Sequence, residues 1–167
     1  MASRFWVGGA GNWSSTTKWS LTSGGASGAS VPTSVDDAIF DANSGGKFVA
    51  TVDTAQSVNS LTITPSATIG ILQIALTAQL TTGALTTTGT AGNNRIWFSS
   101  TTYGIDINLV VNGTVSISDC DFRGIYVTGT SAPISGTRIG NRGESRGITF
   151  STPKTVYWNL AGAQNWS

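Results

Sequence analysis

From Lys47 onward the chain alternates apolar and polar residues in short runs. They are Phe48 to Val52, Val58 to Thr64, Ile69 to Leu76, Gln79 to Thr88, Arg95 to Ser99, Ile105 to Val111, Thr114 to Ser118, Phe122 to Thr128 and Gly147 to Phe150. A period of two sends successive side chains to opposite faces of a strand. Leu61-Thr62-Ile63-Thr64 and Val115-Ser116-Ile117-Ser118 show it plainly, with one apolar face and one hydroxyl face. Gly, Asn or Pro separates the runs at intervals of about 8 to 12 residues, the spacing of a sandwich, barrel or solenoid. No charged residue stands between Asp53 and Arg95, so this segment must be solvated by Thr, Ser and Gln or buried against copies of itself. Threonine-rich ladders suit stacked β-coils, whose edges are covered by their neighbours. The expected fold is all-β, a parallel β-helix-like or β-sandwich stack with a Trp/Gly-rich N-terminal cap. The helix is favoured, although no strict solenoid period is legible in the central region.

Three parts are predicted: residues 1–46 as a Trp/Gly-rich module, 47–155 as the strand-rich core, and 156–167 as a partial second copy of the opening motif. The first part reads as turns punctuated by Trp6, Trp13 and Trp19 among glycines. Large rings there supply a core that short strands cannot. The opening Arg4-Phe5-Trp6-Val7-Gly8-Gly9-Ala10-Gly11-Asn12-Trp13-Ser14 is echoed by Val156-Tyr157-Trp158-Asn159-Leu160-Ala161-Gly162-Ala163-Gln164-Asn165-Trp166-Ser167. The echo suggests one unit of a longer design.

Composition supports the β class. Glycine contributes 21 of 167 residues and only 10% of positions are charged, against about 25% in an average soluble protein. Strong helix formers are scarce, with one Glu, three Lys and one Met. The net charge of +1 and the absence of a basic run argue against nucleic acid as a partner. No stretch approaches the ~20 apolar residues of a membrane span, and the N-terminus lacks a signal-peptide pattern. Cys120 is the only cysteine, which rules out an intramolecular disulfide and suits a small buried hydrophobe.

The chain has no histidine, which removes Ser-His-Asp and Cys-His nucleophile systems and makes a zinc site implausible. No catalytic residue, metal site or cofactor is expected. A glycosidase needs only two carboxylates, and Asp119 and Asp121 would share a strand face; a solvated turn around Cys120 is the plainer alternative. Asp36, Asp37 and Asp41 offer oxygens to calcium but lack the glycine and final Glu of a calcium loop, so turn formation is preferred. Trp6, Trp13 and Trp19 have two readings, a platform for sugar rings or packing of the cap. Arg138, Arg142, Glu144 and Arg146 form a charge cluster in a Gly/Asn-rich stretch, either a subunit-docking surface or an ordinary solvated loop.

The opening pattern, with Trp19-Ser20, Ser23-Gly24-Gly25, Val31-Pro32 and Asp36-Asp37-Ala38-Ile39-Phe40-Asp41 after it, resembles a module of tailed-bacteriophage virion proteins. The stretches Ile117-Ser118-Asp119-Cys120-Asp121-Phe122, Gly136-Thr137-Arg138-Ile139-Gly140-Asn141, Gly147-Ile148-Thr149-Phe150 and Lys154-Thr155-Val156-Tyr157-Trp158-Asn159-Leu160 are similar to the same proteins. A looser form resembles β-helical passenger segments of bacterial surface proteins. The resemblance implies a virion component of the tail-fibre, head-fibre or decoration kind, located in the virion, bound to other capsid or tail proteins and homo-oligomeric, with a trimer as one form. It carries over no catalytic residue. Two other functions are weighed beside it: an adhesin for a host surface glycan, and a polysaccharide-degrading spike fragment.

Overall fold

The computed structural model describes residues 1–65, 72–90 and 94–151. The predicted second copy of the tryptophan motif at 156–167, and Ile69 to Ile71 of one predicted strand, lie outside these residues. The protein is all-β, as its alternation predicts. Sixteen strands and one 3-10 turn (Thr16–Lys18) are formed among the described residues, and no helix there is long and apolar enough to cross a membrane.

The strands are β1 (Ser3–Trp6), β2 (Gly11–Asn12), β3 (Trp19–Ser20), β4 (Asp37–Phe40), β5 (Phe48–Val52), β6 (Gln56–Ile63), β7 (Leu72–Leu76) and β8 (Leu80–Thr88). They continue with β9 (Ile96–Ser100), β10 (Ile107–Val111), β11 (Val115–Ser118), β12 (Cys120–Arg123), β13 (Ile125–Thr128), β14 (Ile134–Ser135), β15 (Gly140–Asn141) and β16 (Ile148–Thr149). In one sheet the order is β13-β10-β8-β6-β4-β1-β3, with β11 also on β8; in a second it is β15-β12-β9-β7-β5-β2; β14 and β16 form a third. From β4 to β9 the chain visits the first two sheets alternately. Each strand there lies parallel to the strand laid down one circuit earlier. Antiparallel pairing of named strands occurs once among the described residues, where β3 folds back on β1. An antiparallel sandwich would instead pair strands adjacent in sequence.

A period becomes visible in the second sheet. Phe48, Leu72, Ile96 and Cys120 stand in register at intervals of 24 residues, all pointing into the core. Ala50, Ile74, Phe98 and Phe122 form a second buried row, in which the Phe98 and Phe122 rings stack at 5.3 Å. The first sheet is less regular: its steps grow from 24 residues between Gln56 and Leu80 to 29 between Leu80 and Leu109. The predicted run Phe122 to Thr128 is two strands rather than one. Gly124, at φ 61°, breaks it so that β12 and β13 join different sheets.

Residues 1–46 are richer in strands than their turn-like sequence predicts. β1 and β4 extend the first sheet, β2 extends the second, and the boundary at residue 46 falls in the loop between β4 and β5. Their buried side chains join the hydrophobic core that runs to Ile139.

The longest strand, β8, carries β10 along its first part and β11 along its second. Between them the backbones stack with no space for side chains. A Cβ on Gly83 would lie 2.4 Å from the Asn59 carbonyl oxygen, and one on Gly113 2.5 Å from that of Gly83. Gly83→Ala should therefore lower stability by about 1–3 kcal/mol, as overpacking does. Gly46→Ala, which meets nothing within 4 Å, should stay within about 0.5 kcal/mol of the parent in urea unfolding.

Candidate functional site

All eight carboxylates of the chain accept hydrogen bonds from the chain itself. Asp36 accepts from the Thr33 amide (3.0 Å) and hydroxyl (2.8 Å), and Asp37 from Asn59 Nδ2 (2.7 Å) and Ser60 Oγ (2.6 Å). Asp41 accepts from the Asn43 amide at 2.9 Å, and Asp53 from the amide and hydroxyl of Ser14. Asp106 pairs with Arg146, and the Gly104 amide donates to Glu144 at 3.3 Å. Asp36 and Asp41 thus close turns as expected, whereas Asp37 stands in β4 and ties it to β6, and no group of three potential metal ligands assembles among the described residues.

Asp119 and Asp121 do not share a strand face, and Asp119 does not sit in a solvated turn. Asp119 is fully buried at the corner between β11 and β12, in left-handed backbone at φ 52° that Asp tolerates better than most residues. Its backbone joins three circuits, accepting from the Ile96 amide and donating to the Thr137 carbonyl, both at 3.0 Å. Arg138 grips its carboxylate with two bonds of 2.7 and 2.6 Å, and Arg95 approaches it at 3.5 Å. Arg95 meanwhile donates to both oxygens of Asp121, at 2.9 and 2.6 Å. The Arg138 hydrogen bonds, reinforced by the charges of both arginines, hold Asp119 below the usual carboxylate range despite its burial. A general acid for glycoside cleavage needs the opposite shift. Cys120 lies beside this knot, fully buried; burial pushes its thiol up to about 11, and the Thr87 hydroxyl is 3.6 Å from Sγ.

The predicted charge cluster disperses into separate contacts. Arg138 serves Asp119, Arg146 serves Asp106 and lies 4.8 Å from the centroid of the Tyr126 ring, and Glu144 holds Gly104. Arg142 reaches back to β9, where its guanidinium stands 3.6 Å above the centroid of the Trp97 ring.

Trp6, Trp13 and Trp19 are fully buried, so none shows a ring face to solvent. They pack edge to face and stacked with one another and with Phe40, at centroid distances of 4.9 to 6.5 Å. The Trp6 indole N–H donates to the Gly9 carbonyl and that of Trp19 to the Trp13 carbonyl, both at 2.8 Å. The Trp13 N–H has no partner among the described residues, which costs about 1–3 kcal/mol for a buried donor.

The open site is elsewhere, on the outer face of the second sheet. Val49, Gln73 and Trp97 align there across β5, β7 and β9. Gln73, Trp97, Phe98, Ser99, Tyr103, Arg123 and Arg142 line a cavity of about 400 Å³. A second hollow of about 290 Å³, bounded by Lys47, Phe48 and Val49, shares Gln73 and Trp97 with it, so the two form one trough across the strands. Gln73 donates to Ser99 Oγ at 2.7 Å; Arg123 donates to the Ser100 carbonyl at 3.0 Å and lies 5.9 Å from the Tyr103 ring centroid. Trp97 was legible as the outward residue between inward Ile96 and Phe98, but only the 24-residue register brings it beside Gln73.

No family model, curated protein or solved structure matches this chain.

Two outcomes follow. Trp13→Phe, which sacrifices no hydrogen bond, should destabilise less than Trp6→Phe or Trp19→Phe by about 1 kcal/mol in urea unfolding. A depressed Asp119 value stabilises the fold above the unfolded carboxyl value of about 3.9, a contribution lost as pH falls through the folded value. Asp119→Asn should lower the urea midpoint at pH 7 and flatten its fall between about pH 5 and 2.

Proposed function

We propose that the chain is a non-enzymatic structural segment of a tailed-bacteriophage virion appendage or capsid decoration, wound as a parallel β-helix. The winding rests on the alternation of strands between two sheets with parallel pairing to the preceding circuit. The observation that carries the structural role is the use of the charged side chains. Arg95, Arg138 and Arg146 each tie residues 19 to 43 positions away, and every carboxylate is occupied by a donor of the same chain. Charges spent on joining successive circuits give a stiff rod with few free titrating groups. The virion assignment rests on the Trp/Gly-rich opening and the motifs of the last third.

In this role the protein works by assembly. Its hydroxyl-rich outer faces and short end strands meet other virion subunits, and copies associate with one another, a trimer being the form that suits a fibre or a three-fold decoration.

Particles assembled from the genome that encodes this chain should retain it through a density gradient at a fixed copy number by mass spectrometry. In solution, light scattering should give three times the chain mass of 17.2 kDa. Recovery only in the particle-free fraction would defeat the virion reading, and a stable monomer would defeat the trimer.

A further inference from the structure

Arg95, Arg138 and Arg146 each meet an aspartate, whereas Arg123 and Arg142 form no ion pair among the described residues. Both line the trough on the second sheet, and both stand over aromatic rings. Lys47, at the other end of the trough, likewise forms no ion pair among the described residues. No carboxylate of the described residues lines either hollow. The nearest in the sheet, Asp121, stands in register with Trp97 but is held by both bonds from Arg95. Glu144 is held by the Gly104 amide. The trough is thus a cationic surface whose counter-charge the described chain does not supply.

We propose that this trough binds a carboxylate-bearing saccharide laid across β5, β7 and β9. The guanidinium forks of Arg123 and Arg142 match a sugar carboxylate, as planar N–H donors do. An arginine seated on a ring is already ordered, so less freedom is lost when it closes on the anion. Gln73 donates its N–H to Ser99 and keeps its carbonyl oxygen to accept from a sugar hydroxyl. Tyr103, 80% exposed, offers an apolar ring face with a polar tip to the C–H side of a pyranose. A small inorganic anion would use the arginines and leave the rest idle. An extended ligand explains why the hollow continues past Trp97 to Lys47. The volume, about 400 Å³ in the main hollow, is within the ordinary range of ligand sites.

The test is calorimetric titration of the full chain with hexamers of galacturonate, mannuronate and α2,8-linked sialate, each beside its carboxyl-reduced counterpart and beside polyacrylate of matched charge. At least one acidic hexamer should bind saturably, and its neutral counterpart should bind at least about tenfold more weakly, the loss of one charge-assisted hydrogen bond. Arg123→Gln and Arg142→Gln should each weaken that hexamer about tenfold with unchanged thermal unfolding. Arg4→Gln, which removes equal charge from β1 outside the trough, should not. Binding by none of the acidic hexamers, equal binding of polyacrylate, or an equal loss in Arg4→Gln would overturn the proposal. So would a fall in oligomer mass in Arg142→Gln, because a second copy would then be the occupant.

Discussion

Everything in this fold depends on a ladder between residues about 24 positions apart. No strand from β4 to β9 pairs with its sequence neighbour, so each circuit finds its hydrogen-bonded partners only in the circuits before and after it. Such pairing leaves little tolerance for slippage, since a shift of one residue would turn the inward row of Phe48, Leu72, Ile96 and Cys120 outward. The core enforces register by burial, and the close backbone stack of Asn59, Gly83 and Gly113 enforces it by sterics.

Where the hydrophobic rows become less regular, charge assumes the role of alignment. Asp119 is the clearest case: buried, in left-handed backbone, and bonded to β9 on one side and to the Thr137–Arg138 segment on the other. A buried carboxylate without its arginines would be costly, so Asp119 specifies which arginines must lie above and below it. The same arrangement gives each oxygen of Asp119 and of Asp121 an arginine donor from another circuit.

Much of this was legible from the chain and some was not. The strand Phe48–Val52 has the bounds that alternation alone predicts, and β7 to β11 lie within a residue or a few of their runs. Apolar alternation reports local burial, which a strand needs wherever it pairs. The 24-residue period escaped because its rows conserve character rather than identity: Phe, Leu, Ile and Cys all serve one inward position. β1 and β4 escaped because glycines and hydroxyl residues around them signal turns, and only partners far along the chain make them strands. The open site was hidden for a related reason. Arg142 and Trp97 are 45 positions apart in sequence, and neither alone marks a surface.

β3 gives the stack a direction. A parallel ladder repeats indefinitely unless its first strand is blocked, and an open first strand would accept a strand from another molecule. Here the chain folds Trp19–Ser20 back against β1 in the reverse sense, and Trp19 enters the core as it does so. The fold-back covers the Phe5–Trp6 part of β1 and leaves β3, two residues long, as the edge of the first sheet, so that association across this stretch falls to side chains more than to backbone.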